Sequence, residues 1–255
     1  MDYPNYTNKL TGVLHIDPAG SDTTNFGVYS TGTVKKYAYG TRYDIDERSF
    51  VYCNAGAACQ SGYGCYHYPA YTSIATATAQ SIGDTTIDIT VTTTAYAVDE
   101  LQGGYYNQPD STLPQFRRIQ GNTVCASGGI TKLSLDGPFT KTMAVNAFAE
   151  MMLNPYSDVR RLTYGEYASH FGVPSTTIAS GSKGWVQTWG PCWVTPRAPV
   201  GDTANWRTVV FFNDGTVNGF DDATAEAGHM VAGYVIDRTG SGSDNPPFIF
   251  LTCNK

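Results

Sequence analysis

The sequence predicts an all-β protein, with two small β-barrel or β-sandwich units preceded by an extended N-terminal arm and a hairpin. Charged residues make up only 15% of the chain, well below the roughly 25% of average soluble domains. The chain is instead rich in Thr and Tyr, which favour strands, and in Gly, Asn and Ser, which favour turns. Short segments that alternate apolar and polar residues recur between glycine-containing turns, as in proteins made of many short strands.

Residues 1–36 are predicted to form the extended arm. This segment is rich in Gly, Ser, Thr, Asn and Asp, and its few apolar residues are scattered. A segment of this composition cannot bury much core by itself. We therefore expect the arm to lie along its own domain or along a neighbouring chain, with Leu14, Phe26 and Tyr29 as contact residues.

Residues 37–72 combine a hairpin with a loop rich in Cys, Tyr and Gly. Aromatic residues alternate with smaller or polar ones on both sides of a polar stretch, which predicts strand, turn and strand. Residues 56–72 have no periodicity and predict a loop. Tyrosine adds contact area at low entropy cost, so Tyr63, Tyr66 and Tyr68 are predicted to contact a partner. The alternative is that the loop folds back and fills its own core.

Residues 73–157 are predicted to form the first β-domain. Residues 87–92 alternate Ile or Val with Asp or Thr, and residues 130–135 repeat this period of two. The Asp136-Gly137-Pro138 sequence supplies a strong turn after the second segment. Residues 145–153 are compatible with either a short helix or a strand.

Residues 158–255 are predicted to form a second, Trp-rich β-barrel domain. Trp185, Trp189 and Trp193 recur at every fourth position, but the intervening Gly190-Pro191 excludes a regular helix. The three tryptophans are therefore predicted to share one face of a strand and to pack the barrel, since large aromatic side chains contribute most to a small core.

Three further strand signals complete this second domain. Apolar segments flank the Asp214-Gly215 pair, which predicts a hairpin with a tight turn. Residues 233–237 and 247–251 predict the last two strands, which a Gly- and Ser-rich segment connects.

Composition and charge argue against two classes of partner. The net charge is −6, and the basic pairs are too dispersed to form the clustered cations that nucleic-acid binding requires. No apolar run approaches the roughly 18 residues of a membrane span. The first ten residues lack a basic region followed by an apolar stretch, so no cleavable secretory signal is expected. The sequence therefore predicts neither a nucleic-acid nor a membrane partner.

The sequence leaves three chemical states of the six cysteines open. No CxxC pair occurs, so the usual zinc-ribbon and redox spacings are missing. Buried free thiols, a disulfide formed after cell lysis and a Cys/His metal site that includes His67 are all compatible with the sequence. We assign no cofactor and no metal. The residues concerned are Cys53, Cys59, Cys65, Cys125, Cys192 and Cys253.

The chain contains none of the common catalytic motifs that bind phosphate, dinucleotides or zinc or that carry a nucleophilic serine. Residues 180–183 match SxxK, but they lack a helical context and the motifs that accompany it in serine enzymes. No histidine is singled out as a catalytic base among His15, His67, His170 and His229. We therefore predict that the protein is not an enzyme.

The densest group of carboxylates is Asp44, Asp46 and Glu47. A solvated hairpin tip is favoured over a Ca²⁺ site, because the stretch has no Gly for a sharp turn and Arg48 supplies a competing cation. Two carboxylates that flank a sugar would suit a glycosidase, and Trp185, Trp189 and Trp193 would suit stacking on a sugar. Adhesion to glycans is therefore the alternative function.

Four stretches carry a family resemblance. The stretch FGVPSTTIASGSKGWVQTWGPCWV resembles the core of head-decoration domains of tailed bacteriophages, in which a strand ending in Gly-Val leads through a Gly-containing turn to a V-Q-T-x-G strand. The closing run AGYVIDRTGSGSDNPPFIFL resembles their final hairpin. The hairpin YGTRYDIDERSFVYCNAG, and the stretch RRIQGNTVCASGGITKLSLDGPF through LNPYSDVR, resemble segments of phage virion structural proteins. The resemblance runs from about Lys35 to the C terminus and includes no catalytic residues.

This resemblance implies a virion structural protein, namely a capsid decoration or cement protein that binds the outer capsid surface and stabilises the shell. It implies two partners, the major capsid protein and further copies of this chain, expected as a trimer. The implied location is the virion, on the capsid surface, after assembly in the host cytoplasm. The alternative is a phage tail or spike adhesin domain that binds host glycans, and the choice between head and tail stays open.

Overall fold

The computed structural model describes residues 6–8, 12–14, 27–68, 71–109, 114–161, 169–201, 207–220, 230–237 and 246–254. All regular elements within these residues are strands, which confirms the prediction of an all-β protein. In chain order they are β1 Tyr6–Asn8, β2 Gly12–Leu14, β3 Arg42–Ile45, β4 Arg48–Asn54, β5 Cys65–His67, β6 Tyr71–Thr76, β7 Thr86–Thr90, β8 Tyr105–Gln108, β9 Gln115–Asn122, β10 Ile130–Leu135, β11 Phe148–Met152, β12 Val159–Arg160, β13 His170–Pro174, β14 Lys183–Trp193, β15 Thr208–Phe211, β16 Val217–Gly219, β17 Val231–Asp237 and β18 Phe248–Thr252.

The chain divides into two compact units. The first, here called the barrel unit, is residues 69–155. The second, here called the sheet unit, combines residues 1–68 with residues 156–255. The barrel unit is therefore an insertion in the sheet unit, and in the sheet unit the flanking strands β5 and β12 are hydrogen-bonded neighbours through His67 and Val159. Such connections between adjacent elements tolerate inserted domains.

The barrel unit is a closed barrel of six strands in the order β10-β7-β6-β11-β8-β9, with every pair antiparallel. β10 buries alternate residues and exposes the others, so its sequence period of two matches its two faces. β7 follows the same rule, and both segments were predicted as strands. The stretch 145–153, compatible with helix or strand by sequence, forms β11. The largest core side chains are Tyr106, Phe139, Ile87, Ile89, Leu101, Ile119, Leu133 and Met151.

The sheet unit is one ten-stranded sheet that curls into half a barrel. Its main path runs β12-β5-β13-β14-β18-β17-β15-β16, with β4 paired to β14 and β3 to β4. The Asp-Gly hairpin predicted by sequence is the β15–β16 pair, and the last two predicted strands pair as β17 and β18.

The hairpin of residues 37–72 belongs to this same sheet, although the sequence-based division separates it from residues 158–255. β4 pairs with β14 from Asn54 opposite Lys183 to Ser49 opposite Trp189. This long-range ladder joins the two chain segments into one unit. A division by composition along the chain does not detect it, because strand pairing is not local information.

The N-terminal segment contains more pairing than an extended arm would have. β1 and β2 form a two-stranded antiparallel sheet, from Tyr6 opposite Leu14 to Asn8 opposite Gly12. Further along, Val28 is buried in the sheet unit, and Gly32 forms a bridge with Lys183. The described part of residues 27–36 therefore lies on its own sheet, one of the two placements expected from the sequence.

The three tryptophans of β14 do not pack a common core. Trp185 is 1% exposed and contacts the rings of Tyr37, Tyr43 and Tyr52, with centroids 5.2–6.2 Å apart. Trp193 is 57% exposed. The expectation that all three would fill a barrel is therefore wrong, because β14 buries Trp185 in its first half and leaves Trp193 exposed at its end.

Candidate functional site

The turn between β3 and β4 is fixed against β14 by a glycine. Gly190 has φ +92°, and a Cβ added there would lie 2.3 Å from the carbonyl oxygen of Glu47. Only glycine accepts both this backbone conformation and this close approach. The two-residue turn Asp46-Glu47 is therefore held directly beside Gly190 in the second half of β14.

A buried glutamine supports the irregular part of β14. The register against β4 shifts between Gln187 and Trp189, and Pro191 lacks a backbone N–H for the ladder. Gln187 is buried, and its Nε2 donates hydrogen bonds to the carbonyl oxygens of Trp189 at 3.0 Å and Pro191 at 2.8 Å. These bonds fix the strand segment that ends in Trp193, so the orientation of that ring rests on a buried polar contact.

An open cleft of about 760 Å³ lies at this end of the sheet unit. Trp193 and Phe248 form its aromatic wall, with ring centroids 4.7 Å apart and planes tilted by 39°. They occupy directly opposite positions on the paired strands β14 and β18. Ser61, Ser175 and Thr195 add polar groups to the lining.

The β3–β4 turn and Tyr29 form a charged wall of the same cleft. The Arg48 guanidinium donates a hydrogen bond to the Tyr29 hydroxyl at 3.1 Å and lies 3.7 Å from a carboxylate oxygen of Asp46. Glu47 supplies a second carboxylate. An exposed ion pair of this length is weak, so these groups keep most of their capacity to bond a ligand. The cleft thus combines an aromatic face with hydrogen-bond donors and acceptors.

A second candidate surface lies on the outside of the barrel unit. The rings of Tyr105 and Phe116 stack with centroids 5.2 Å apart and planes within 13°, and Phe116 is 60% exposed. Met152 lies directly opposite Tyr105 on β11, and Phe148 projects from the same outer face of β11. We call Tyr105, Phe116, Phe148 and Met152 the barrel patch.

A third surface lies on the outer face of the sheet unit. Tyr234 of β17 stacks on Phe250 of β18 with centroids 5.2 Å apart and planes within 5°. Trp189 meets the same Phe250 ring edge-on at 5.5 Å. Tyr234 and Ile236 are exposed. We call Tyr234, Ile236 and Phe250 the sheet patch.

The tyrosines of residues 56–72 are more fixed than a mobile loop would allow. Tyr66 is 5% exposed, because β5 is paired on both sides, with β12 and β13. It is therefore not available to a partner, and its predicted contact role is wrong. The Arg161 guanidinium lies 3.6 Å from the ring centre of half-buried Tyr63, and that of Arg160 lies 3.7 Å from exposed Tyr68.

The other predicted contact residues fall in different places. Tyr29 is exposed and borders the cleft, where its hydroxyl meets Arg48. Leu14 belongs to β2, but its side chain and the whole of Phe26 lie outside the described residues. Among the predicted contact residues that the structure describes, Tyr66 and Tyr68 adjoin with ring centroids 6.4 Å apart, whereas Tyr29 borders the cleft.

The described histidines and the Ser and Lys side chains of the SxxK match each contact other groups of the protein. His67 stacks on Phe171 with centroids 4.3 Å apart, and His170 is buried against Phe211. Ser180 donates to the carbonyl of Gly56, and the Lys183 amine donates to the carbonyl of Gly181, so the two motif groups bond different partners. His15 and His229 lie outside the described residues.

All six cysteines are free thiols in the structure. Burial raises the pKa of Cys192 and of Cys253 to about 12, and it raises the pKa of Cys53 and Cys65 well above the ordinary value. A thiol with a raised pKa is protonated at neutral pH and poorly nucleophilic. Within the described ranges, no three His, Cys, Asp or Glu side chains are grouped to hold a metal ion.

The sequence named Asp46, Glu47 and Trp193 as groups suited to a sugar, but it did not bring them together in one cleft, and it missed both patches. Phe116 stands in an alternating segment, and its odd spacing of three positions from buried Ile119 could have marked it as outward-facing on β9. The cleft had no local signal, because its walls come from segments as distant as Tyr29 and Phe248.

Comparison of the chain with protein-family models, with curated proteins and with solved structures gives no match. In the part of the chain that the structure describes, no helix is long and apolar enough to span a membrane.

Proposed function

We propose that this chain is a non-enzymatic virion structural protein, a capsid decoration or cement protein that binds the outer capsid surface and stabilises the shell. One observation carries the proposal: each compact unit exposes aromatic side chains on the outer face of an antiparallel sheet, as the barrel patch and the sheet patch. Exposed groups of large apolar side chains are typical of surfaces that bind other proteins.

The physical basis of attachment is burial of these aromatic side chains. Aromatic residues dominate the binding energy of protein interfaces, and here they stand on paired strands that lose little entropy on binding. Each unit carries its own patch, so each unit has an apolar surface on which a polypeptide can bind.

The partner class follows from the resemblance to phage head-decoration domains. We propose the major capsid protein and further copies of this chain, as a trimer, as the partners, and the virion surface as the location. The low proportion of charged residues, 15%, suits this role, since few charges need to be desolvated when such a surface is covered.

The cleft favours a second candidate function, a tail or spike adhesin domain that binds host glycans. Trp193 presents an exposed indole beside polar and charged groups, an arrangement suited to a sugar. On this alternative, a glycan array would show binding by the isolated protein, and the protein would not attach to bare capsids.

The proposal is tested by mixing the purified protein with bare capsids of the cognate major capsid protein and measuring co-sedimentation. We expect saturable binding by the wild type and loss of most binding by Phe116→Ala. The matched control is Ile130→Ala, because Ile130 is 59% exposed on the same barrel but stands on β10 and pairs with Thr90 of β7, whereas the patch residues stand on β8, β9 and β11.

Two results would refute the proposal. One is a wild-type protein that stays in the supernatant at every capsid concentration. The other is Phe116→Ala and a Tyr234→Ala variant that both bind capsids like the wild type, since neither patch would then carry attachment. Light scattering of the free protein measures the proposed trimer directly.

A further inference from the structure

We infer that the cleft bordered by Trp193, Arg48 and Glu47 is a binding site for a neutral oligosaccharide. This inference goes beyond capsid attachment, which uses the barrel and sheet patches and needs no cleft. It is carried by the volume of the cleft, by the exposed indole of Trp193 in its lining and by the charged residues that line the same cleft.

The size of the cleft suits a short oligosaccharide. Its volume of about 760 Å³ lies within the roughly 300–1,000 Å³ of ligand sites in proteins. The cleft is open to solvent, so a chain of sugars can enter and leave at its ends.

The aromatic wall suits the apolar face of a sugar ring. Trp193 is well exposed, and Phe248 packs against it from the neighbouring strand with centroids 4.7 Å apart. The indole is therefore held at a fixed angle while one face stays open. The C–H groups of a hexose can pack on this face. Burial of the apolar indole surface in that contact lowers the free energy of the complex.

The charged wall suits the hydroxyl groups of the same sugar. The carboxylates of Asp46 and Glu47 accept hydrogen bonds, and the Arg48 guanidinium donates them. The Tyr29 oxygen accepts a bond from Arg48 at 3.1 Å, so the hydroxyl proton of Tyr29 is directed to another acceptor. Bonds to charged groups are the stronger ones, so this wall supplies specificity.

The charge of the lining selects against acidic sugars. The charged residues in the lining are two carboxylates, Asp46 and Glu47, against one guanidinium, Arg48. A sialic or uronic acid would add a further negative charge, and like charges in one site raise the free energy of the complex. The site therefore favours neutral hexoses.

The carboxylate positions favour binding rather than cleavage. Hydrolysis of a glycosidic bond normally requires two carboxyl groups that flank the bond. Asp46 and Glu47 are adjacent in one two-residue turn, so both carboxylates of the lining come from the same short segment. We therefore expect a bound oligosaccharide to be held in the cleft and left intact.

The test is binding of the full chain to an array of neutral hexose oligosaccharides printed beside sialylated and uronate-containing ones, followed by calorimetric titration with the best probe. We expect binding to a neutral probe and about tenfold weaker binding by Trp193→Ala, since loss of one aromatic contact of about 1.4 kcal/mol is tenfold in affinity. Glu47→Gln should keep neutral binding and gain binding to the sialylated probe.

The matched control is Tyr234→Ala, which removes an exposed aromatic from the same sheet outside the cleft and should bind the probe like the wild type. No binding of the wild type to any neutral probe, preference for the sialylated probe, or unchanged affinity in Trp193→Ala would each overturn the inference. Trp193→Ala should still sediment with capsids, and Phe116→Ala should still bind the sugar, so this inference and the proposed function fail separately.

Discussion

The side-chain oxygen of Asn122 accepts a hydrogen bond from the backbone N–H of Leu101 at 2.8 Å, inside the barrel unit. The Nδ2 group of the same side chain donates to the carbonyl oxygens of Ala97 and Thr123, each at 2.8 Å. One buried side chain thus ties the turn that contains Ala97 and Leu101 to the end of β9, and places buried Leu101 in the barrel core.

We expect Asn122→Ala to lower the free energy of unfolding of the barrel unit by about 2–3 kcal/mol, because it leaves the buried N–H of Leu101 without its partner and removes two part-buried hydrogen bonds. Chemical denaturation followed by circular dichroism measures this change. Asn122→Asp should also destabilise the unit, since it keeps the acceptor for Leu101 but sets a carboxylate oxygen against the carbonyl oxygens of Ala97 and Thr123. Gln120→Ala, on the exposed side of the same strand, is the control, and an equal loss in that variant would contradict the assignment.

The close approach of Glu47 to Gly190 gives a second prediction. Gly190→Ala should destabilise the protein by at least about 1 kcal/mol more than Gly181→Ala. Both glycines have positive φ, but a Cβ at Gly181 would meet nothing within 4 Å. The difference in unfolding free energy therefore isolates the clash with the β3–β4 turn. Equal effects of the two substitutions would show that the turn is not held by this contact.

The two ends of β14 should respond differently to truncation. Trp185→Ala should cost about 3–5 kcal/mol, since it empties a buried aromatic cluster. Trp193→Ala should change the free energy of unfolding by no more than about 0.5 kcal/mol, because the ring is exposed. Urea unfolding of both variants checks the contrast. A large loss of stability in Trp193→Ala would mean that the ring is needed for the fold. The test of sugar binding would then rely on Glu47→Gln instead.

Buried thiols predict a loss of stability at alkaline pH. Burial raises the pKa of Cys192 and Cys253 from the ordinary 9.0 to about 12, so between these values the folded state keeps protons that the unfolded state has lost. Their contribution is complete below pH 9 and decreases as pH rises towards about 12. Burial also raises the pKa of Tyr52, from 10.0 to about 12, and this adds to the loss of stability as pH rises.

Denaturant unfolding under reducing conditions at a series of pH values measures this slope. The double variant Cys192→Ala and Cys253→Ala should lose less stability than the wild type between pH 9 and pH 12, after each is normalised to its own value at pH 7. Identical slopes for the two proteins would contradict the assigned cause.

Local patterns were sufficient to predict individual strands. The alternation in β7 and β10 follows from the strand period of two, and the Asp214-Gly215 turn joins β15 and β16 as predicted. Residues 145–153 lacked a clear period and stayed ambiguous until pairing with β6 and β8 made part of them a strand. The candidate site was less accessible, since only Tyr29 of its lining was among the predicted contacts.

The sequence by itself determined that this protein is all-β and where many of its strands lie, because side-chain alternation and turn residues act within a few positions along the chain. Only the tertiary structure decided that β4 joins β14, that Tyr66 is buried and that Trp193 faces a cleft. Those outcomes depend on which distant segments pair and which face they cover. The free energy of such contacts comes from residues far apart in sequence, and a local pattern does not specify them.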